Sequence, residues 1–115
     1  MDMDELVERV RFGELFDAYA DILTEKQREV CGLLLGGDLT IAELGEELGV
    51  SRQGAHDLVR RSRDRLDEIE GALGLLELRK NYGALLGLIR ENASALPDEL
   101  LGRISKITGR LDPDV

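Results

Sequence analysis

A single cysteine, Cys31, and a single histidine, His56, occur in a chain of 115 residues. One cysteine cannot close an internal disulfide, and one Cys with one His cannot assemble a zinc set. A reducing compartment, the cytoplasm, is therefore expected. Tryptophan is absent and only two Phe and two Tyr are present, which removes aromatic stacking as a main grip on single-stranded bases. No apolar run approaches the ~20 residues that span a bilayer, and the acidic opening MDMDELVERV has neither the basic nor the apolar part of a secretory signal. Neither membrane insertion nor export is expected. Catalytic signatures are missing too. No nucleophile stands with a plausible base, and Gly36-Gly37 lacks the following Lys-Ser or Lys-Thr of a phosphate loop. Neighbouring carboxylates such as Glu46-Glu47 have no flanking apolar cleft. The expectation is a non-enzymatic protein with no cofactor and no metal.

Hydrophobic residues make up 43% of the chain and charged residues 34%, enough for a modest core and too apolar for a disordered segment. The length fits one small domain, or one domain with an extension. Apolar residues recur at helical spacing, no strand-like alternation persists, and Leu far outnumbers Val and Ile, so an all-α fold is expected. Leu6, Val10, Leu15, Phe16, Tyr19, Ile22 and Leu23 suggest a first helix from about Asp4 to Ile22. Thr24 with Gln27 has capping-box spacing and opens a second helix, Glu25 to Leu35, stopped by Gly36-Gly37. Thr40 with Glu43 repeats the pattern before a short helix, Ile41 to Leu48, that ends at Gly49. Ser51 then caps a long helix whose seam steps through Ala55, Val59, Ser62, Leu66, Ile69 and Leu73. Beyond Gly74, a fifth amphipathic stretch carries Leu75, Leu78, Tyr82, Leu85, Leu86 and Ile89 and breaks around Asn92 to Ala95. Pro97 suits the first turn of a last helix bearing Leu100, Leu101, Ile104, Ile107 and Leu111.

The tightest signal is the pair of helices separated only by Gly49-Val50-Ser51, the turn of a helix-turn-helix. Gly45 supplies the small residue needed where the first helix crosses the second. Gly49 supplies the left-handed turn residue. Val50 and Ala55 are expected to plug the angle, with Ile41, Leu44, Leu48, Leu58 and Val59 completing a small core. Residues 1–74 then form a helix-turn-helix domain, with the unit itself at about 40–66, and residues 75–115 a helical extension that packs on it or on a partner subunit.

The charge pattern singles out the same unit. Net charge is −9, from 15 Lys and Arg against 24 Asp and Glu, so the chain as a whole repels nucleic acid and any such site must be local. From Ser51 to Leu66, five Arg stand against two Asp. If the second helix of the unit enters a groove, its N-terminal residues face base edges. Helical phase directs Gln53, Asp57, Arg60, Arg61 and Asp64 outward, with His56 and Arg63 on a flank. Arg binds phosphate or guanine in bidentate fashion and Gln reads adenine, which nominates Arg52, Gln53, His56, Arg60, Arg61 and Arg63 as nucleic-acid contacts. The alternative is a solvated ion-pair face, since Asp57, Asp64, Asp67 and Glu68 lie at helical spacings from these arginines. His56, with no second His or Cys to work with, reads as a surface residue ahead of a ligand or base, and Cys31, in an apolar run, as core. The tyrosines are expected to keep their hydroxyls in water.

The run from Leu15 to Glu77 resembles the YlxM-like family of small bacterial helix-turn-helix proteins and, more distantly, region four of the sigma factors. The resemblance is carried by Leu15-Phe16-Asp17 with Tyr19, by Leu23-Thr24-Glu25-Lys26-Gln27-Arg28, by Asp38-Leu39-Thr40 and by Gly49-Val50-Ser51-Arg52-Gln53. The sequence departs from the family pattern at Leu34-Leu35-Gly36, where an aromatic pair is usual, and at Gly54-Ala55-His56. The resemblance implies a helix-turn-helix fold of the sigma-region-four, winged-helix-like type and a non-enzymatic regulatory role. It also implies a link to the signal recognition particle, whose GTPase and small RNA are the implied partners. Three functions follow as expectations: a nucleic-acid-binding modulator of that pathway, a sequence-specific DNA-binding regulator working as a homodimer, or a protein-interaction module that binds the GTPase without nucleic acid.

Overall fold

The computed structural model describes residues 2–109, and among these six α-helices hold 87 of 108 residues, with no strand. Asp2 opens α1 (Met3–Tyr19) by accepting the Glu5 N–H at 2.8 Å. Its axis gives way to a single 3-10 turn at Ala20–Ile22, so the α-helix ends three residues before the expected Ile22. Arg28 braces this junction by donating to the carbonyls of Ala20 (3.2 Å) and Leu23 (3.3 Å). Both expected capping boxes are formed. Thr24 and Gln27 start α2 (Glu25–Gly36), and Thr40 and Glu43 start α3 (Ile41–Leu48). Ser51 caps α4 (Arg52–Leu73) by accepting the Gly54 N–H at 3.0 Å. Gly74, at φ 63°, closes α4 in the left-handed conformation and donates to Glu70 O at 2.8 Å. Then come α5 (Leu75–Glu91), a 3-10 turn at Ala93–Ala95, and α6 (Asp98–Thr108), which follows Pro97. Leu111, expected on the last apolar stripe, lies outside the described residues.

The described chain divides into two compact units, one ending at Gly74 and one beginning at Leu75. In the first, α4 is the central element, and α1, α2 and α3 all pack on it. Val30, Leu44, Leu48 and Ala55 form a buried cluster ringed by Leu33, Leu34, Leu39, Ile41, Leu58 and Val59. One turn further on, Cys31 and Ser62 are both fully buried. The Ser62 hydroxyl donates to Leu58 O at 2.8 Å, and the Cys31 thiol shares a hydrogen bond with Ser62. Burial pushes the Cys31 thiol pKa up, and the Ser62 contact and the nearby Arg63 charge offset part of the rise.

Two sequence expectations are corrected by α1. Its inner face is Phe12, Leu15 and Tyr19, all buried, and Phe12 was absent from the expected stripe. Leu6 and Val10 are instead exposed, as is Ile22. Every residue from Asp2 to Arg11 is exposed, so α1 reaches the core only in its C-terminal half. Neither tyrosine hydroxyl stays in water. Tyr19 is buried and donates to Glu70 on α4, and the Tyr82 hydroxyl is buried without a hydrogen-bond partner among the described residues. The second unit has a thinner interior: Leu76 and Leu86 are the buried residues of α5, and α6 has none.

Candidate nucleic-acid interface

The turn between α3 and α4 has the geometry of a helix-turn-helix because two glycines permit it. Gly49 sits at φ 69° and ψ 32°, a conformation that costs a residue with a Cβ. Gly45 lies where the two helices cross. A Cβ built there would stand 2.9 Å from Val50 O and 3.2 Å from Ser51 O, closer than packed atoms approach. The same contact lets the Val50 N–H donate to Gly45 O at 2.9 Å. Ala55 is fully buried in the angle, whereas Val50, expected to share that role, is 36% exposed.

This turn packs one side of the N-terminal half of α4 into the core through Ala55, Leu58 and Val59 and leaves the other side exposed. Arg52, Gln53, His56, Arg60, Arg61 and Arg63 are all exposed, and the buried seam of the helix is Ala55, Ser62, Leu66 and Ile69. Arg52, His56, Arg60 and Arg63, spaced by four, four and three residues, form one ridge along the helix. The ridge borders two adjoining open hollows. Ile41, Arg52, Gln53 and His56 line the first, of about 460 Å³. The second, of about 450 Å³, has Leu34, Ile41 and Val59 as an apolar floor beside His56, Arg60, Arg63 and Asp64. Arg61 lines neither hollow. At ~100° of rotation per residue it stands off the ridge, on the side of Asp57.

The six side chains differ in how they are held. Asp57 organises the middle of the face. It accepts from Gln53 Nε2 at 3.2 Å and pairs with Arg60 at 3.6 Å, the Arg60 side chain remaining 62% exposed. Arg63 is turned toward α1, with its guanidinium carbon 4.6 Å from the centre of the Phe12 ring. A third hollow begins there, where Asp2, Asp4, Glu5 and Glu8 of the α1 end join Phe12, Leu34, Leu35 and Arg63. The positive ridge is therefore bounded by carboxylates at its Arg63 end and open at its Arg52 end. Among the described residues, no ion pair engages Arg52 or Arg61. An ion-pair face accounts for Arg60 with Asp57 and for Arg65 with Glu68 at 3.1 Å, and it leaves Arg52, Arg61 and Arg63 unexplained.

The sequence carries no direct sign of the Arg63–Phe12 stack, which joins residues fifty-one positions apart. A signal for Phe12 was present, since it is three residues before Leu15 and seven before Tyr19, in phase with both. The apolar floor from Leu34 and Ile41 depends on tertiary placement alone.

A family model described as "UPF0122: Putative helix-turn-helix protein, YlxM / p13 like" matches residues 6–101. The chain is 38% identical over 91 residues to a UPF0122 protein of Clostridium kluyveri, covering 79% of this chain and 76% of that protein. It is 36% identical over 103 residues to one of Shouchella clausii, covering 85% and 94%. A relative in Clostridium botulinum is 43% identical over 70 residues, covering 61% and 64%.

Proposed function

This chain belongs to the UPF0122 family of YlxM/p13-like helix-turn-helix proteins, and from that premise we propose that it is a non-enzymatic, cytoplasmic regulatory protein that binds nucleic acid through α4 and modulates the signal recognition particle pathway. The observation that carries the reading is the exposed ridge of Arg52, His56 and Arg60 at the start of α4, open to solvent in a chain of net charge −9. Arg52 and Arg60 meet phosphates, and Gln53 and His56 supply base contacts. Arg61 contributes from the far side of the helix. Arg63, held on Phe12 beside the α1 carboxylates, marks where the nucleic acid leaves the surface. The pathway reading rests on the family resemblance alone, which implies the particle's RNA as the ligand and its GTPase as a protein partner.

A second reading is favoured by the helix-turn-helix turn itself: a dimeric regulator whose α4 helices enter successive major grooves of a specific DNA site. An anisotropy titration against labelled signal-recognition-particle RNA, with random duplex DNA as competitor, separates the two. The proposal predicts saturable RNA binding that survives DNA competition and weakens with salt. Equal competition by duplex DNA supports the DNA regulator. Absence of binding to either overturns both and leaves a protein-interaction module directed at the GTPase.

A further inference from the structure

The ridge of α4 borders a surface that phosphate and sugar cannot complement. In the hollow of about 450 Å³, Leu34 of α2, Ile41 of α3 and Val59 of α4 meet as an apolar floor. All three are half-buried, so each still presents part of its surface to solvent. His56 lines this hollow and the adjoining one, and its imidazole is the one flat aromatic ring among these lining residues. Arg60 stands on the same rim with its side chain 62% exposed. Asp64 is the one carboxylate in the lining, and no ion pair engages it among the described residues.

We propose, resting on the reading of α4 as an RNA-binding face, that this hollow takes one extruded base of an RNA bulge or loop. The base lies on Leu34, Ile41 and Val59 beside the His56 ring, and its flanking phosphate meets Arg60. Each part of the lining has a match in a single unpaired nucleotide. Phosphate and sugar are polar throughout, whereas the face of a base is flat and apolar. In a duplex those faces are stacked away, and what reaches the grooves is the base edges, polar but for the thymine methyl. A base that has left the stack exposes its face. Its amino groups suit Asp64, which accepts hydrogen bonds and repels a phosphate. A guanidinium on the rim suits the neighbouring phosphate. Paired RNA offers the ridge less: its major groove is deep, narrow and closed to side chains, so α4 reaches no base edge there in a regular stem. The chain's few aromatics exclude a grip on a run of stacked bases. A hollow of about 450 Å³, within the roughly 300–1,000 Å³ of small-ligand clefts, has room for one.

Anisotropy titrations of the full chain against three labelled RNA hairpins of one stem sequence test it. One is fully paired, one carries a single unpaired adenosine, and one has an abasic nucleotide in that adenosine's place. The abasic nucleotide keeps the phosphate and sugar of the bulge and removes only the base. The adenosine bulge should bind about tenfold more tightly than either of the others. Leu34→Gln, which puts a carboxamide into the apolar floor, should bring the three hairpins to similar affinity. Equal binding of the adenosine and abasic bulges overturns the proposal and leaves the α4 reading standing. A folded Leu34→Gln chain that keeps the full preference does the same. Binding to none of the three overturns the proposal together with the α4 reading on which it rests. If Leu34→Gln does not fold, the adenosine and abasic bulges still decide the matter with the wild type.

Discussion

Gly45 is where a single missing atom decides the site. In an ordinary helix, alanine is better than glycine by about 1 kcal/mol. Here the added Cβ would meet the backbone carbonyls of Val50 and Ser51, which cannot move without opening the turn, and overpacking costs about 1–3 kcal/mol. Gly45→Ala should therefore lower the urea midpoint despite its better helix propensity; a raised midpoint would contradict the close approach. Cys31 gives a second prediction. Its thiol pKa is raised in the folded protein by burial, so the unfolded chain gives up that proton first as pH rises. The contribution is complete below the ordinary thiol range and is lost as pH climbs through the raised native value. Stability measured against pH should fall on the alkaline side, and Cys31→Ala should flatten that fall. An unchanged alkaline slope would show that the thiol is not the group responsible. At this scale Gly45, Gly49 and Cys31 were legible in the sequence, because small size, left-handed backbone and apolar surroundings each leave a local mark. The Tyr19 hydroxyl was not, since its partner Glu70 is far along the chain.

Among the elements, helix limits were easier to read than helix faces. Caps are local chemistry, and Thr24, Thr40, Ser51, Gly49 and Gly74 each stand at an observed end. Facing depends on what lies opposite. On α1 the sequence offers two apolar stripes, and only the one through Phe12, Leu15 and Tyr19 finds α4; Leu6 and Val10 belong to the other. The long seam of α4 was legible because its period of three and four holds from Ala55 to Ile69, and it fails only at the exposed Leu73. α3 has 8 residues, too few to persist without its cap and its packing. The Thr40 hydroxyl accepts the Glu43 N–H at 3.1 Å while Glu43 Oε1 accepts the Thr40 N–H at 3.2 Å. Thr40→Ala should cost about 1 kcal/mol and, by loosening α3, weaken nucleic-acid binding more than Thr24→Ala does. Chemical denaturation alongside anisotropy measures both; equal effects of the two caps on binding would argue that α3 does not support the α4 face.

For the whole molecule, function turns on how charge is distributed. In this acidic chain α4 carries an exposed basic ridge, bounded at Arg63 by the carboxylates of α1. The ridge residues were legible because five arginines cluster in one helix. Their division was not: Arg61 stands off the ridge and Arg63 is occupied by Phe12, and both facts follow from the docking of α1 and the rotation of α4. Salt screens the acidic chain's long-range repulsion as well as the ridge's attraction, so binding should be less salt-sensitive than the count of contacts alone suggests. Individual contacts can still be separated by substitution. The most direct test of the account is the slope of log affinity against log salt for signal-recognition-particle RNA, measured for the wild type, for Arg52→Ala with Arg60→Ala, and for Arg65→Ala. Arg65 serves as the control because it pairs with Glu68 away from the ridge. The prediction is a slope shallower by about one for each of Arg52 and Arg60 removed, and a smaller change for Arg65→Ala. Identical slopes for all three proteins would contradict the assignment of the ridge to phosphate contact.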